Sequence, residues 1–567
     1  MITDIRVNCA NTATHYDVPM GTTLKDLSNA VCKETAAGLP VLAALVDNKL
    51  KSLDYKVIST HELRFIGYDH PDGRRTYIRS LCFVLQKVVR EMFPDKILAI
   101  DYSLPSGLYC ELREKALKED GRPQAYFVTD DDLEAIRLRM KEIIDADLPF
   151  SKTVMSHDEA VTIFEENSQY EKALLLECLG RFSYNVYWLD SIADKFYGPL
   201  VPTTGLLTIF NLTGFNDGFI LQYPMDGNFG KVLPMKRQSK IATALKEHSD
   251  WCAIMGVKGV GTLNHVVLSG GIVDLINLSE ALHERKYAEI ADQIYARRAS
   301  VKIVFIAGPS SSGKTSTSKR LALQCRILGL NPKVIELDNY FVERENTPRD
   351  ENGEYDFESL GAMDLDLLGR QLNDLLDGKE VEIPRFDFKA GRKYFEGNMM
   401  KLGEKDILIM EGIHALNPAM IPGVDASKVF RVYASALTSL SIDENNNIST
   451  SDNRLLRRMI RDNRTRGVVP EETIMRWQSV RRGENRNIFP YQENADAIFN
   501  SAHIFELPVL KYYAEPLLRR ISPNSPAYTE STRLLKFMDY IVALSPAEIA
   551  AIPPTSILRE FIDGQTL

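Results

Sequence analysis

IVFIAGPSSSGKTSTSKRLA, residues 303–322, runs from an apolar segment through a glycine- and serine-rich turn into a helical pattern. Its first part, within VKIVFIA, is β-branched and apolar at successive positions, which suits an interior parallel strand covered on both faces. In the following SKRLALQCRILGL, Leu321, Leu323, Cys325, Leu328 and Leu330 are the expected buried stripe of a helix, and Gly329 its stop. Between them lies G-x-x-x-x-G-K-[ST]. In strand–loop–helix context this pattern turns backbone N–H groups and a helix N-terminus toward an anion. Gly308, Ser310, Ser311, Ser312, Gly313, Lys314, Thr315 and Ser316 are therefore the expected nucleotide-phosphate ligands. Lys314 reaches the β and γ phosphates and Thr315 ligates Mg²⁺.

A phosphate cradle alone performs no transfer. Transfer needs a base, a metal ligand and positive charge over the moving group. PKVIELDNYF reads as a second strand ending in Asp338, placed where open α/β sheets bind ligands. Asp338 is the candidate that accepts a substrate hydroxyl proton, and it is also counted in the metal shell. KDILIMEGIHALN reads as a third buried strand ending in Glu411, a second metal-shell candidate, because Mg²⁺ bridging phosphates takes one or two carboxylates from protein. His414 reads as a core or loop histidine. Arginines recur at helical spacing in NRLLRRMIRDNRTRG; Arg454, Arg458 and Arg461 fall near one face and could close over phosphates.

The chain has 567 residues, which suggests about four units. Its net charge of -9 argues against a general polyanion binder, since non-specific nucleic-acid affinity rests on Lys and Arg. No apolar run reaches the ~20 residues of a membrane span, and MITDIRVNCA lacks the pattern of a signal peptide. A cytoplasmic location without membrane partners is the expectation. The seven cysteines are scattered without a C-x-x-C pair, so they read as reduced thiols.

The first half differs in character. IRVNCANTATHYDVPMGTTLKDLSNAV and VLAALVDNKLKSLDYKVISTHELRFI suggest a small sheet crossed by one helix. DDDLEAIRLRMKEII carries apolar residues near i, i+3, i+4. Residues 231–298 read as a helical connector, and 521–567 as a C-terminal helical extension in which Pro553 and Pro554 could begin a docked helix.

GPSSSGKTSTSKRL, ELDNYF, EYDFESLGAMD, VEIPRFDF, IMEGIHAL, RRMIRDNRTRG and ENADAIFNS together resemble the uridine kinase and phosphoribulokinase family, over roughly residues 300–515. The resemblance implies a kinase using ATP and Mg²⁺, with Asp338 and Lys314 catalytic and Arg458, Arg461 and Arg466 as lid arginines, Arg466 on the nucleotide. It places Tyr340, Phe357, Glu358, Phe386 and Phe388 on the acceptor side. Uridine kinases read Y-D-Y-x-x-H-S-R where this chain reads FDFKAGRK, so Gly391 replaces the base-contacting His and Lys393 the Arg. Losing a polar partner for the base weakens the case for uracil. Glu358 stands for the family's ribose-binding Asp, and Val468 for an Arg after the lid glycine.

Residues 1–68 resemble the TGS module of threonyl-tRNA synthetases, and residues 69–230, including YGPLVPTTG, resemble the second N-terminal domain of those enzymes. Their editing site uses an H-x-x-x-H pair, a Cys and another His. Here Tyr77 and Leu81 stand at the counterparts of the pair, and Phe196 and Leu200 at those of the Cys and His. Without imidazole or thiol there is neither the usual metal site nor a nucleophile, so the region is read as inactive in editing.

The expected fold is a multidomain α/β chain. A P-loop kinase domain over 299–520, with a parallel sheet flanked by helices, follows a small α+β (β-grasp) TGS-like domain and an α+β synthetase-like domain. Two functional classes follow. One is a kinase transferring the γ-phosphoryl group to a hydroxyl of a nucleoside or sugar. The other is a nucleotide-dependent regulator whose N-terminal half contacts tRNA or the ribosome. A homo-oligomer is compatible with both.

Overall fold

A computed structural model describes residues 4–567 except 119–122, 226–228, 237, 350–352, 354 and 422; Glu354, first residue of the quoted EYDFESL stretch, lies outside the described residues. The chain is a multidomain α/β protein. At its N-terminal end five strands run in the order Thr14–Pro19, Asp4–Cys9, His61–Ile66, Ala43–Val46, Lys49–Lys51, with Asp4–Cys9 and His61–Ile66 parallel. The helix Leu24–Val31 starts at Thr23, whose side chain accepts from the Asp26 N–H, and lays Leu24 and Leu27 on Val7, Leu63 and Phe65. This is the β-grasp arrangement.

The long helix Pro71–Met92 and the helix Asp130–Asp145 pack on a sheet built from Lys96–Leu104, Gly107–Leu117, Pro123–Tyr126, Asn211–Phe215 and Gly218–Gln222. A three-stranded sheet of Phe150–Ser156, Ser183–Leu189 and Ile192–Asp194 adjoins it. Tyr77 exchanges hydrogen bonds with the backbone of Ile209, and Leu81 is fully buried. These two positions serve the core.

Three helices, Ser239–Ile254, Val260–Leu268 and Ile272–Ala296, lead into the C-terminal sheet. Its five strands are all parallel, in the order Asn331–Glu336, Asp406–Glu411, Ile303–Ala307, Val429–Ser435, Ala497–Asn500. The central Ile303–Ala307 is buried throughout, as its composition predicts. Asn331–Glu336 is an edge strand with Val334 exposed, so the second apolar strand is less covered than expected. The helix Lys314–Ile327 buries Leu321 and Cys325 but leaves Leu323 44% exposed. Two residues of helix turn the side chain by about 200°, which puts Leu323 opposite Leu321.

The halves share packing rather than a bare linker. Residues of the connector and of 440–562 form one apolar cluster that also takes in Leu175. Arg75 pairs with Glu530 at 3.0 Å, and Arg533 joins Glu530 and Asp452, both at 2.7 Å. No helix among the described residues is long and apolar enough to cross a membrane.

Candidate functional site

The loop 308–313 leaves the central strand at its carboxyl end and enters the helix Lys314–Ile327. Gly308 is required there by close approach, because a Cβ would fall 1.9 Å from the Ala434 carbonyl oxygen. Ser311 holds φ +58° and Gly313 +80°, the left-handed turn that aims successive N–H groups inward. Lys314 Nζ donates to the Pro309 carbonyl at 3.3 Å, folded over its own loop.

Register brings the acidic candidates to the same mouth. Ile306 pairs with Glu411 in the neighbouring strand, and Glu411 with Glu336 beyond it. Thr315 Oγ1 donates to Glu411 Oε1 at 2.7 Å. Burial pushes the Glu411 carboxyl up to about 7, Lys314 opposing and Asp338 adding to the rise. Asp338 sits in the 3₁₀ turn Leu337–Tyr340, just past the strand end rather than in it. Burial raises its pKa while Lys314 and Arg466 oppose. Lys314 thus acts on both carboxylates, and the four residues form one group.

Hydroxyl and carboxylate oxygens are hard donors suited to Mg²⁺. Among the described residues no cluster of three or more His, Cys, Asp or Glu could hold a metal by itself. The set fits a cation that takes most of its ligands from phosphates and water. The buried Ser311 and Ser312 hydroxyls lack hydrogen-bond partners among the described residues, which leaves donors in the cradle for an incoming anion. The residues present fit ATP with Mg²⁺.

The arginines divide into two sets. Arg454 and Arg457 are buried: Arg454 Nη2 donates to Glu484 Oε2 at 2.8 Å and Arg457 Nη2 to Glu506 Oε2 at 2.6 Å. Arg454 also donates to the Ser310 carbonyl at 3.0 Å, and Glu484 accepts the Ser310 N–H at 3.0 Å. Ser501, bonded by Arg457, donates to the Ser312 carbonyl at 2.6 Å. Arg454 is therefore a clamp on the loop's back, not a group free to close over phosphates. Arg458, Arg461 and Arg466 all converge on Asp462, at 3.2, 3.0 and 3.3 Å. Arg458 also donates to Ser310 Oγ at 2.8 Å. Glu484, Asp462 and Ser501 went unnoticed in the sequence, although Asp462 lies inside the arginine run itself.

Ser316 has a different neighbour. Its hydroxyl donates to Glu560 Oε2 at 2.6 Å and accepts from Gln565 at 2.7 Å. Arg464 pairs with Asp563 at 2.9 Å, and Ile557 lies against Gly313. The C-terminal residues 553–567 therefore strap the start of the P-loop helix.

On the acceptor side Phe386 and Phe388 pack edge to face at 5.1 Å, with Phe341 5.8 Å from Phe386. Phe388 and Phe357 are exposed. Glu358 fits over Gly483, its pKa raised by burial and opposed by Arg458. Tyr340 departs from the expectation: it is 1% exposed and its hydroxyl donates to Gln371 at 2.7 Å, so the fold uses it internally. Gly391 lies at φ +68°, where a Cβ would meet the Arg344 side chain at 2.8 Å. Arg344 thus occupies the space beside the position of the missing His, and donates to the Phe388 carbonyl. Lys393 is ion-paired with Asp364. His414 is buried, and burial pulls it down to about 4, as expected of a core histidine.

Residues 303–506 match the phosphoribulokinase / uridine kinase family. The N-terminal region matches threonine–tRNA ligases. The ligase of Carboxydothermus hydrogenoformans is 30% identical over 189 residues, covering 33% of this chain and 27% of the ligase. That of Alkalilimnicola ehrlichii is 29% identical over 234 residues, covering 40% and 34%. The chain thus spans about a third or less of the length of these relatives. A solved "possible uridine kinase" from Bacillus stearothermophilus is 19% identical, covering 38% of this chain and 98% of that one, at TM-score 0.27. D-glycerate 3-kinase from Cryptococcus neoformans is also 19% identical, covering 23% and 52%, at TM-score 0.17.

Proposed function

We propose that this chain, whose residues 303–506 match the phosphoribulokinase / uridine kinase family, is an ATP- and Mg²⁺-dependent phosphotransferase acting on a hydroxyl of a nucleoside, uridine-like, or of a related sugar. The observation that carries the reading is that the Lys314 charge acts on both Asp338 and Glu411, with Thr315 bonded to Glu411. A nucleotide switch has no need of the first carboxylate.

Bound MgATP supplies the phosphoryl group and the cation that offsets its charge. The loop N–H groups and Lys314 would hold the β and γ phosphates, and Thr315 and Glu411 would supply oxygen ligands to the metal. Asp338 takes the acceptor's hydroxyl proton, and its raised pKa brings it nearer the operating pH of a base. Arg458, Arg461 and Arg466 exchange Asp462 for phosphate oxygens. Phe386 and Phe388 offer an apolar wall, Phe357 adds an exposed aromatic ring, and Glu358 accepts from acceptor hydroxyls.

The test is ADP release with MgATP against nucleosides, pentoses and phosphorylated sugars. One acceptor should stimulate release, and Asp338→Asn should lower it by about 10²–10⁴ with ATP binding kept. Equal transfer by Asp338→Asn removes the base assignment. A second reading, a nucleotide-dependent regulator bound to tRNA or ribosome, is favoured by the ligase-like N-terminal region. It predicts release that RNA or ribosomes accelerate and no acceptor changes.

A further inference from the structure

A cavity of about 360 Å³ lies far along the chain from the P-loop, where three segments meet: Leu50–Ser52 of the first sheet, residues 152–199, and the residues that follow Thr532. Lys51, Lys152, Arg181, Lys195 and Lys536 line it, against Asp539 as the one carboxylate in the lining. Two of these cations have acidic partners: Lys152 with Asp54 at 3.4 Å and Arg181 with Asp539 at 3.8 Å. Lys51, Lys195 and Lys536 have no carboxylate at ion-pair distance among the described residues. Lys195 Nζ instead donates to the Tyr540 hydroxyl at 2.6 Å.

Such a group repels itself. Burial depresses the pKa of Lys51, with Lys49 and Lys152 adding to the fall, and burial pulls Lys195 down to about 8, helped by Arg181. Lys51 lies over the Tyr55 ring and Lys195 over that of Tyr540, neutral partners that leave their charge uncompensated; on a chain of net charge -9, cations without carboxylates in one recess make a focused positive field of the kind that collects an anion.

We infer that this cavity is a binding site for a small phosphorylated molecule, its phosphate held by Lys51, Lys195 and Lys536 and its apolar part resting on Tyr197 and Phe196. The volume lies at the lower end of the range for small-ligand pockets, roughly 300–1,000 Å³, which favours a metabolite over a macromolecule. Phe196, standing where a thiol would be needed for editing, brings no thiol to the lining. The site binds without reacting.

The test is calorimetric titration of the full chain with inorganic pyrophosphate in metal-free, low-salt buffer, in a Lys314→Ala background that weakens the P-loop's own anion binding. One pyrophosphate should still bind. Lys51→Gln with Lys536→Gln should weaken it at least tenfold, about 1.4 kcal/mol. Asp539→Asn should tighten it, an outcome that a merely structural charge cluster would not produce. Lys536 is exposed and Lys51 half-buried, so these changes spare the core; circular dichroism verifies that. Absence of pyrophosphate binding in the Lys314→Ala chain, or binding indifferent to the paired Lys substitutions, overturns the inference. So does a short single-stranded RNA that binds through the same lysines while pyrophosphate does not.

Discussion

Neutralising Glu484 should loosen the phosphate loop from behind. Its carboxylate accepts from Arg454 at 2.8 Å and from the Ser310 N–H at 3.0 Å, and Glu484 and Arg454 are each 1% exposed. In Glu484→Gln the guanidinium stays buried without its counter-charge, and breaking a buried pair in this way costs about 3–5 kcal/mol. Taking about 3 kcal/mol, and about 1.4 kcal/mol per factor of ten, local opening should become roughly a hundredfold more frequent. Native-state hydrogen exchange at the amides of 308–316 reads that opening directly, with the amides of the N-terminal sheet as an internal control. Adding Arg454→Met removes the stranded charge and should recover part of the loss, since apolar groups can replace a buried pair at little cost. Burial pulls the Glu484 carboxyl up, but Arg454 outweighs it and holds the pKa below the ordinary range. The contribution is therefore present above about pH 4.3 and lost only as pH falls through the lower folded value, so the variant's defect should persist from about pH 6 to 9. Unchanged exchange at 308–316 in Glu484→Gln, or a double variant that opens as readily as the single one, refutes the clamp.

Glu411 titrates with the opposite sign: its folded pKa, about 7, lies above the unfolded value, so its contribution to the free protein is full below about pH 4.3 and lost as pH rises through about 7. Because a metal-facing carboxylate must be ionised, the rise in melting temperature caused by MgATP should be larger at about pH 8 than at about pH 6, and Glu411→Gln should flatten that dependence. Lys314→Ala should abolish ATP-dependent ADP release, measured beside an acceptor-free control. Glu560→Ala, which leaves Ser316 without its acceptor at 2.6 Å, should raise exchange at the first turn of the P-loop helix by roughly fivefold, the equivalent of one ordinary hydrogen bond of about 1 kcal/mol; no change there would show the strap to be idle.

Much of the site can be read in short stretches because its chemistry is written into strand ends. Ile303–Ala307, Asp406–Glu411 and the loop between Gly308 and Gly313 carry composition and spacing that hold in the folded chain. The arginine run was harder. Helical spacing sorts side chains onto faces but does not say which face meets protein, so Arg454 and Arg457 were indistinguishable from Arg458 and Arg461 until Glu484 and Glu506 arrived from other helices. Tyr340 differs from the expectation for a similar reason: the resemblance puts its motif on the acceptor side, but Gln371, 31 residues on, takes its hydroxyl.

The sequence by itself determined the glycine- and serine-rich loop, the buried strands Ile303–Ala307 and Asp406–Glu411 and the Glu411 carboxylate at the end of the second, since each depends on residues within one turn or one strand. Only the tertiary structure decided that Asp462 gathers three arginines, that Glu560 reaches Ser316 from 244 residues away, and that lysines of three segments face one cavity. Ion pairs and hydrogen bonds between distant segments are selected by packing geometry, which leaves no local period in the chain to read.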